Sequence, residues 1–458
     1  MARQFFGTDG VRGEANRVLT PELAYGLGRG AALWLKETGG VPQVVLGRDT
    51  RRSGSMIGAA LAAGFCTEGV SVVSLGWAPT PAVAFVARTG DFGLGGIISA
   101  SHNPAPDNGI KFVGHDGRKL PDSVEERIES LMAGSETRIG GGEVGWINSD
   151  DEALERYLQF LEALVPEGLG GLKVAVDGAN GAAFRLGPEI LRRLGAEVMT
   201  IGIDPGDGTT INHGCGATKP GVMQTFTVET GAQVGVAFDG DADRAVFSDH
   251  LGRLINGDRT IAIWAAHEQK HGRLNPATVV GTVMSNGGFA KYMADRGITL
   301  ERAPVGDKYV AQRIAETSAR IGGEQSGHII FPEQGPTGDG LVTMLQLFRV
   351  LHAEGRPAAD FYDEFENWPQ LMVNIGVQSK DGWQEAIAEE LIQAEHELGD
   401  RGRVNVRPSG TEAKIRVMVE AGDIELRDRV AESLVEPLVA KLGGEVRGRV
   451  DLTHALGD

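Results

Sequence analysis

The sequence predicts an α/β protein in which three similar mixed α/β sheet domains and a smaller α+β C-terminal domain surround one central cleft. Three observations predict it. A unit of buried strand, polar Gly/Asp/Asn loop, amphipathic helix and second strand occurs three times in order. The stretch after Trp368-Pro369 follows a different plan. The 67 glycines in 458 residues, about twice the ordinary share of ~7%, are dispersed among apolar strands, which calls for many tight strand–helix loops and excludes low complexity.

The first copy places a strand over 44–50, a helix over 56–68 and a strand over 70–75. The second places a strand and loop over 173–181, a helix near 185–194 and a strand over 196–201. The third has a strand and loop over 278–286, a helix near 288–295 and a strand over 298–300. Strands joined through helices imply βαβ crossovers and parallel pairing. The last region reads as strands over 370–377 and 404–419 with helices between and after. Domains are expected at 1–152, 153–256, 257–367 and 368–458, with linkers at 134–151 (Gly/Ser/Asp-rich) and around Asn367.

A chain of 458 residues is too long for one ordinary core. Its net charge of −18 repels nucleic acid and anionic membranes, so neither is expected as a partner, and an anionic substrate must be met by a local cluster of cations. Cys66 and Cys215 cannot build a disulfide framework. No apolar h-region precedes Gly7, and no run approaches the ~18 residues of a membrane span, so a cytoplasmic protein is expected.

Each copy ends on a further short strand that delivers polar groups. The first ends in Ser101-His102-Asn103-Pro104, where an apolar run stops at a proline that cannot pair further. A hydroxyl on a rigid strand end suits a nucleophile or phosphate carrier, although an ordinary Ser-Asn-Pro turn has the same local composition. The second delivers Asp239, Asp241 and Asp243, then Arg244. Three carboxylates leaving a buried strand repel one another unless a cation neutralises them, and an all-oxygen set suits Mg²⁺. An EF-hand is excluded, because Arg244 stands at the required glycine and His250 at the bidentate glutamate. The third delivers Glu324, Ser326 and His328, which share one face if extended and suit sugar hydroxyls, a hydrogen-bonded turn being the alternative. Ligands of open α/β sheets bind outside the carboxyl ends of strands, so three such ends facing one another make a shared cleft.

Outside the repeats, Arg407-Pro408-Ser409-Gly410-Thr411-Glu412, with Lys414 and Arg416, offers guanidinium groups, hydroxyls and a glycine turn to a phosphate. Arg12 and Lys111 each stand in a glycine-rich segment that a surface turn would also explain. His267-Glu268-Gln269-Lys270-His271 matches HExxH but lies at a helix end, with a lysine between the ligands, and reads as a decoy. Gly140 to Gly145 matches GxGxxG with no strand before it, and a Walker A loop is missing.

Taken in order, FGTDGVRG (6–13), ISASHNP (98–104), DNGIKF (107–112), DGDADR (239–244), GEQSGH (323–328) and RPSGTE (407–412) resemble the α-D-phosphohexomutase superfamily from end to end, most closely its bacterial glucosamine-type members. The resemblance implies an isomerase of amino-sugar metabolism, on the route to UDP-N-acetylglucosamine. It would interconvert glucosamine 6-phosphate and glucosamine 1-phosphate through a phosphoserine enzyme and a 1,6-bisphosphate. By the same resemblance Ser101 is the phosphate carrier, and Mg²⁺ is held by Asp239, Asp241, Asp243 and the Ser101 phosphate. Arg12, Lys111 and His102 surround the transferring group. Glu324 and Ser326 read sugar hydroxyls, and Arg244 and His328 bind substrate beside them, Arg244 orienting a carboxylate or touching phosphate. Arg407, Ser409, Gly410, Thr411 and Arg416 clamp the non-reacting phosphate. Glucosamine 1,6-bisphosphate or glucose 1,6-bisphosphate is implied as activator, a hexosamine phosphate as substrate, and a homodimer and an unidentified source of the Ser101 phosphate as partners. A phosphoglucomutase/phosphomannomutase and a Ser101-dependent sugar phosphatase stay open as alternatives. The chain departs from the family at Ala242, in place of the commoner glycine, and at Ala413-Lys414, where Pro-Leu is frequent. The added methyl of Ala242 is expected to leave the ligands in place.

Overall fold

The computed structural model describes residues 4–7, 9–133, 139–150, 152–409 and 413–454. Strands β1 (Val11–Glu14), β2 (Gln43–Arg48), β3 (Ser71–Trp77), β4 (Leu94–Ile98), β5 (Asp107–Gly114) and β6 (Ile147–Ser149) form the first sheet, in the order β1-β5-β4-β2-β3-β6. Next, β7 (Lys173–Asp177), β8 (Glu197–Ile201), β9 (Val234–Phe238), β10 (Ala245–Asp249) and β11 (Leu254–Ile255) form the second, ordered β11-β10-β9-β7-β8. The third consists of β12 (Thr278–Thr282), β13 (Thr299–Ala303), β14 (Gly322–Gly323) and β15 (Ile329–Ile330), ordered β13-β12-β14-β15. The fourth holds β16 (Gln370–Gly376), β17 (Gly402–Pro408), β18 (Lys414–Ala421) and β19 (Glu445–Asp451), ordered β17-β18-β16-β19.

The repeat seen in the sequence is a repeat of topology. In each of the first three sheets a founding strand (β2, β7, β12) is flanked by two parallel partners, and the second partner turns back into an antiparallel strand. The founding strands are short apolar runs buried on both faces, which only helical crossovers on each side can cover. Ser101, the three aspartates and the loop 324–328 all follow the second parallel partner, so topology carries them to equivalent places.

One apolar cluster links the first three sheets, running from Val45 and Val83 through Tyr157, Val176 and Phe238 to Phe289 and Phe348. A second, from Phe6 to Ile128, fills the other face of the first sheet. The fourth sheet packs its own core around Val373, Val417 and Leu434 and is antiparallel throughout. Among the described residues no helix is long and apolar enough to cross a membrane.

Four expectations change. The linker 134–151 contains β6, an edge strand on β3, whose three exposed residues are too few to show a period. Arg12 and Lys111 lie in strands rather than surface turns, β1 pairing antiparallel with β5. The run 404–419 divides into the hairpin β17–β18. β19 was not expected, because six of its seven residues are exposed and it has no buried face to mark it.

Candidate active site

Ser101 sits three residues past β4 with φ at 51°, a left-handed backbone that costs a non-glycine residue roughly 1–3 kcal/mol and is tolerated mainly where function needs it. Its Oγ donates to Asp239 Oδ2 at 2.7 Å and lies 3.1 Å from His102 Nδ1. Asp241 Oδ2 accepts from the Lys111 ammonium at 2.9 Å and from Thr80 Oγ1 at 2.6 Å. Lys111 is also 3.6 Å from Asp243, which His328 Nδ1 approaches to 3.7 Å. Arg12 pairs with Asp9. Antiparallel β1 and β5 thus set Arg12 beside Asp9 and aim Lys111 at the loop leaving β9.

Burial, with Asp243 and Asp241 close by, pushes the Asp239 carboxyl well above its ordinary range. Burial also acts to raise Asp243, but Lys111 and His328 outweigh it and hold that carboxyl well below the usual range. Burial alone would lower Lys111 and His328. Asp241, Asp9 and Asp243 instead raise the lysine, and Asp243 raises the histidine to about 9. Both therefore stay charged at neutral pH.

One oxygen each of Asp239, Asp241 and Asp243 can be chosen within 4.8 Å of the others. Asp241 Oδ1 and Asp243 Oδ1 are buried without a hydrogen-bond partner among the described residues. Orphaned carboxylate oxygens in an all-oxygen set fit a hard divalent cation such as Mg²⁺. Ala242, between the ligands, has φ at 56°. Its departure from glycine therefore adds backbone strain as well as a methyl.

Ser101, His102, Arg12, Asp243, Arg244, Glu324, Ser326, His328, Arg407 and Arg416 line one cavity of about 300 Å³, with Asp9 and Gln325 beside them. Residues 324–328 form the tight turn between β14 and β15, closed by Glu324 N–H to His328 O at 3.0 Å, so the extended reading gives way to the turn. Glu324 Oε1 accepts from Gly306 N–H at 2.9 Å. Arg407 and Arg416 face each other across β17 and β18. Burial, and then the second guanidinium, lower the Arg407 pKa, since two cations stand side by side there. Ser409 is buried at the hairpin end and is not among the lining residues, while Gly410 and Thr411 lie outside the described residues.

The HExxH segment forms a different structure. His267 Nδ1 lies 2.8 Å from Glu354, and the Lys270 ammonium meets both oxygens of that carboxylate at 3.0 and 2.8 Å. The histidine and the lysine thus share one carboxylate in a hydrogen-bonded cluster. A larger groove of about 990 Å³ near Lys219 and Tyr362 lies away from Ser101, and its Arg253 is taken up by Asp249 and Asp363.

Sequence reasoning missed Asp9, Thr80 and Gln325, and also Asp49, Arg51 and Ser99 behind the serine. The signal for Asp49 and Arg51 was their position just past the carboxyl end of β2.

Four family models, described as phosphoglucomutase/phosphomannomutase alpha/beta/alpha domains I, II and III and C-terminal domain, match residues 3–138, 155–252, 256–368 and 372–436. A phosphoglucosamine mutase of Desulforudis audaxviator is 47% identical over 435 residues, covering 94% of this chain and 96% of its own length. One from Symbiobacterium thermophilum is 47% identical over 448 residues, covering 96% and 99%. Among solved structures, a phosphoglucomutase/phosphomannomutase family protein of Burkholderia thailandensis superposes with a TM-score of 0.80 at 24% identity, over 98% of this chain and 100% of that one. The N-acetylphosphoglucosamine mutase of Aspergillus fumigatus, in complex with GlcNAc-6P and magnesium, gives 0.65 at 19% identity over 95% and 96%. With all four domains matched in order and relatives near half-identical over almost its whole length, this chain belongs to the phosphoglucomutase/phosphomannomutase family.

Proposed function

We propose that the chain interconverts glucosamine 6-phosphate and glucosamine 1-phosphate, with Ser101 as phosphoryl carrier and a 1,6-bisphosphate as intermediate. One observation carries this reading: a single cavity holds two anion sites, the Ser101 hydroxyl among charged groups and the Arg407–Arg416 pair on the fourth sheet. A phosphatase needs only the first. A mutase must hold one phosphate while it moves the other. The glucosamine preference is supported by relatives named phosphoglucosamine mutase at 44–47% identity.

Phosphorylated Ser101 gives its group to a sugar hydroxyl. The Oγ–P bond breaks as the new P–O bond forms, and the proton lost by that hydroxyl is matched by one taken up at Oγ. His102, with Nδ1 3.1 Å from Oγ, is within reach for that proton. Lys111 and Arg12 offset charge on the group in transit. Asp239, Asp241, Asp243 and the Ser101 phosphate would hold Mg²⁺, which when bound would supply further charge neutralisation there. Glu324 and Ser326, with Arg244 and His328 beside them, present acceptors and donors to the sugar. Arg407 and Arg416 hold the other phosphate, and the family resemblance adds Ser409, Gly410 and Thr411, the residues that follow β17 in the sequence. The bisphosphate then turns end for end, and its second phosphate returns to Ser101. Glucosamine 1,6-bisphosphate or glucose 1,6-bisphosphate acts as activator by restoring a carrier lost to water. We place the reaction in the cytoplasm, on the route to amino-sugar nucleotides, and include a homodimer and a separate source of the first Ser101 phosphate in the same proposal.

The test is ³¹P NMR of the purified protein with Mg²⁺, a trace of 1,6-bisphosphate, and glucosamine 6-phosphate or glucose 1-phosphate. Higher kcat/KM on glucosamine, with Ser101→Ala folded and inactive, is the expected result. Comparable turnover of glucose would make the enzyme a general phosphohexomutase. Release of inorganic phosphate alone would overturn the mutase reading, and near-normal turnover by Ser101→Ala would remove the carrier.

A further inference from the structure

The reaction asks an unusual thing of one serine. Its Oγ must give up a phosphoryl group and then receive a different one, from the same place, in every cycle. Ser101 is gripped on both sides of its peptide by side chains that do not line the cavity. On the amide side, Ser101 N–H donates to Ser99 Oγ at 2.8 Å, and Ser99 Oγ donates to Asp49 Oδ2 at 2.6 Å. On the carbonyl side, Arg51 Nη2 donates to Ser101 O and Asn103 O, each at 2.8 Å. Arg51 Nη1 reaches Pro104 O at 2.5 Å and Asp107 O at 3.0 Å, and its Nε returns to Asp49 Oδ2 at 2.9 Å. Asp49, Arg51 and Ser99 are 0%, 1% and 2% exposed, so no water competes for these bonds.

The second domain adds to the grip. Asn212 Nδ2 donates to Ser101 O at 2.8 Å and to Asn103 O at 3.1 Å. A side chain at Gly240, inside the aspartate loop, would stand 2.4 Å from Ser101 O, so that loop presses directly on the serine's carbonyl. We propose that Arg51, tied to Ser99 through Asp49 and assisted by Asn212, is the positioning residue for phosphoryl transfer: its fork of donors fixes the 101–107 turn and so fixes Oγ against the aspartates. The planar guanidinium matters because its donors diverge in one plane and serve four carbonyls and one carboxylate at once, which an ammonium cannot do. This rests on Ser101 being the carrier.

The test loads the full chain with labelled phosphate from a 1,6-bisphosphate, maps the label, and follows single-turnover transfer to glucosamine 6-phosphate. The variants are Arg51→Lys, Ser99→Ala and Asn212→Gly. Glycine adopts the φ of 58° at position 212 without strain, so that variant keeps the backbone even if Arg51→Lys fails to fold. Transfer should fall about 100-fold in Arg51→Lys and roughly tenfold in the other two, with KM within about threefold, because misplacing a reacting atom costs rate more than binding. Arg29→Lys, which weakens the buried Arg29–Glu68 pair between helices of the same domain, should lower Tm without slowing transfer. Wild-type transfer rates in folded, labelled variants, or losses in KM alone, would overturn the proposal. If the wild-type label maps elsewhere than Ser101, the carrier reading fails and the positioning role falls with it.

Discussion

At the scale of single residues, the site is built from charges that would be intolerable apart. Lys111 is buried and still charged because Asp241 and Asp243 face it, and those carboxylates are tolerable partly because Lys111 and His328 face them. Among the described residues no carboxylate gives Arg407 or Arg416 such relief. They stand opposite each other, and Arg416 Nε is buried without a hydrogen-bond partner among the described residues. On the proposed function, a phosphate between them would turn repulsion into charge-assisted hydrogen bonding. Arg407→Ala is therefore expected to lower kcat/KM by roughly 10- to 100-fold, mostly through KM, since such bonds are worth about 1.5–3 kcal/mol. Steady-state kinetics on the wild type and variant check this, and an unchanged profile would remove Arg407 from the clamp. Most of these residues were legible in the sequence because charged and hydroxyl side chains ended apolar strands. Arg51 was not. Its place just past the end of β2 was its one signal, since the backbone carbonyls that a buried arginine serves are the same in every residue.

At the scale of elements, legibility followed burial. The strands β2, β7 and β12 were readable because their apolar runs are the signature of two covered faces. The antiparallel strands β5 and β10 were not recognised as strands, and exposed β6 and β19 left no mark at all. Helix crossings were equally silent, although small residues control them. The helices Pro21–Glu37 and Gly54–Thr67 cross so closely that a Cβ on Gly64 would lie 2.2 Å from Tyr25 O, and one on Gly28 2.2 Å from Leu61 O. Backbone carbonyls cannot rotate away. Gly64→Ala should lower Tm, because overpacking costs about 1–3 kcal/mol or more while alanine returns only about 1 kcal/mol of helix propensity. Gly58→Ala on the same helix meets only Ile98 Cδ1 at 3.9 Å and should raise Tm instead. Differential scanning calorimetry of the pair reads both signs, and equal Tm values would show that the helices move apart freely.

At the scale of the whole molecule, polar groups join the domains around the cleft. Tyr157, on the helix Ala153–Glu162, donates at 2.8 Å to Asp339, which caps the helix Gly340–Glu354 by accepting from Leu341 and Val342 N–H. Burial raises the Asp339 carboxyl from 3.8 to about 6 against the pull of those donors. The folded state thus holds the proton more tightly than the unfolded chain does. The stability this contributes is complete below about pH 4 and is lost as pH rises through about 6. Asp339→Asn has no such proton. Wild type should therefore gain on the variant by roughly 1 kcal/mol as pH falls from 7.5 to 5, at about 1.4 kcal/mol per unit below the folded pKa. Thermal melts of both proteins at the two pH values measure this, and a constant Tm difference would place the carboxyl's titration elsewhere.

The apolar cluster shared by the first three sheets also constrains how the chain is made. It draws on residues from Val45 to Phe361, so it cannot close until most of the chain has left the ribosome. The cluster from Phe6 to Ile128 is complete within the first third, and the fourth sheet keeps a core of its own at the end. During synthesis the nascent protein therefore carries one finished half-core beside one open apolar face for some two hundred residues of elongation, on the order of 10–40 s at ordinary translation rates. Over that interval the face that later unites three domains is the surface a chaperone would meet.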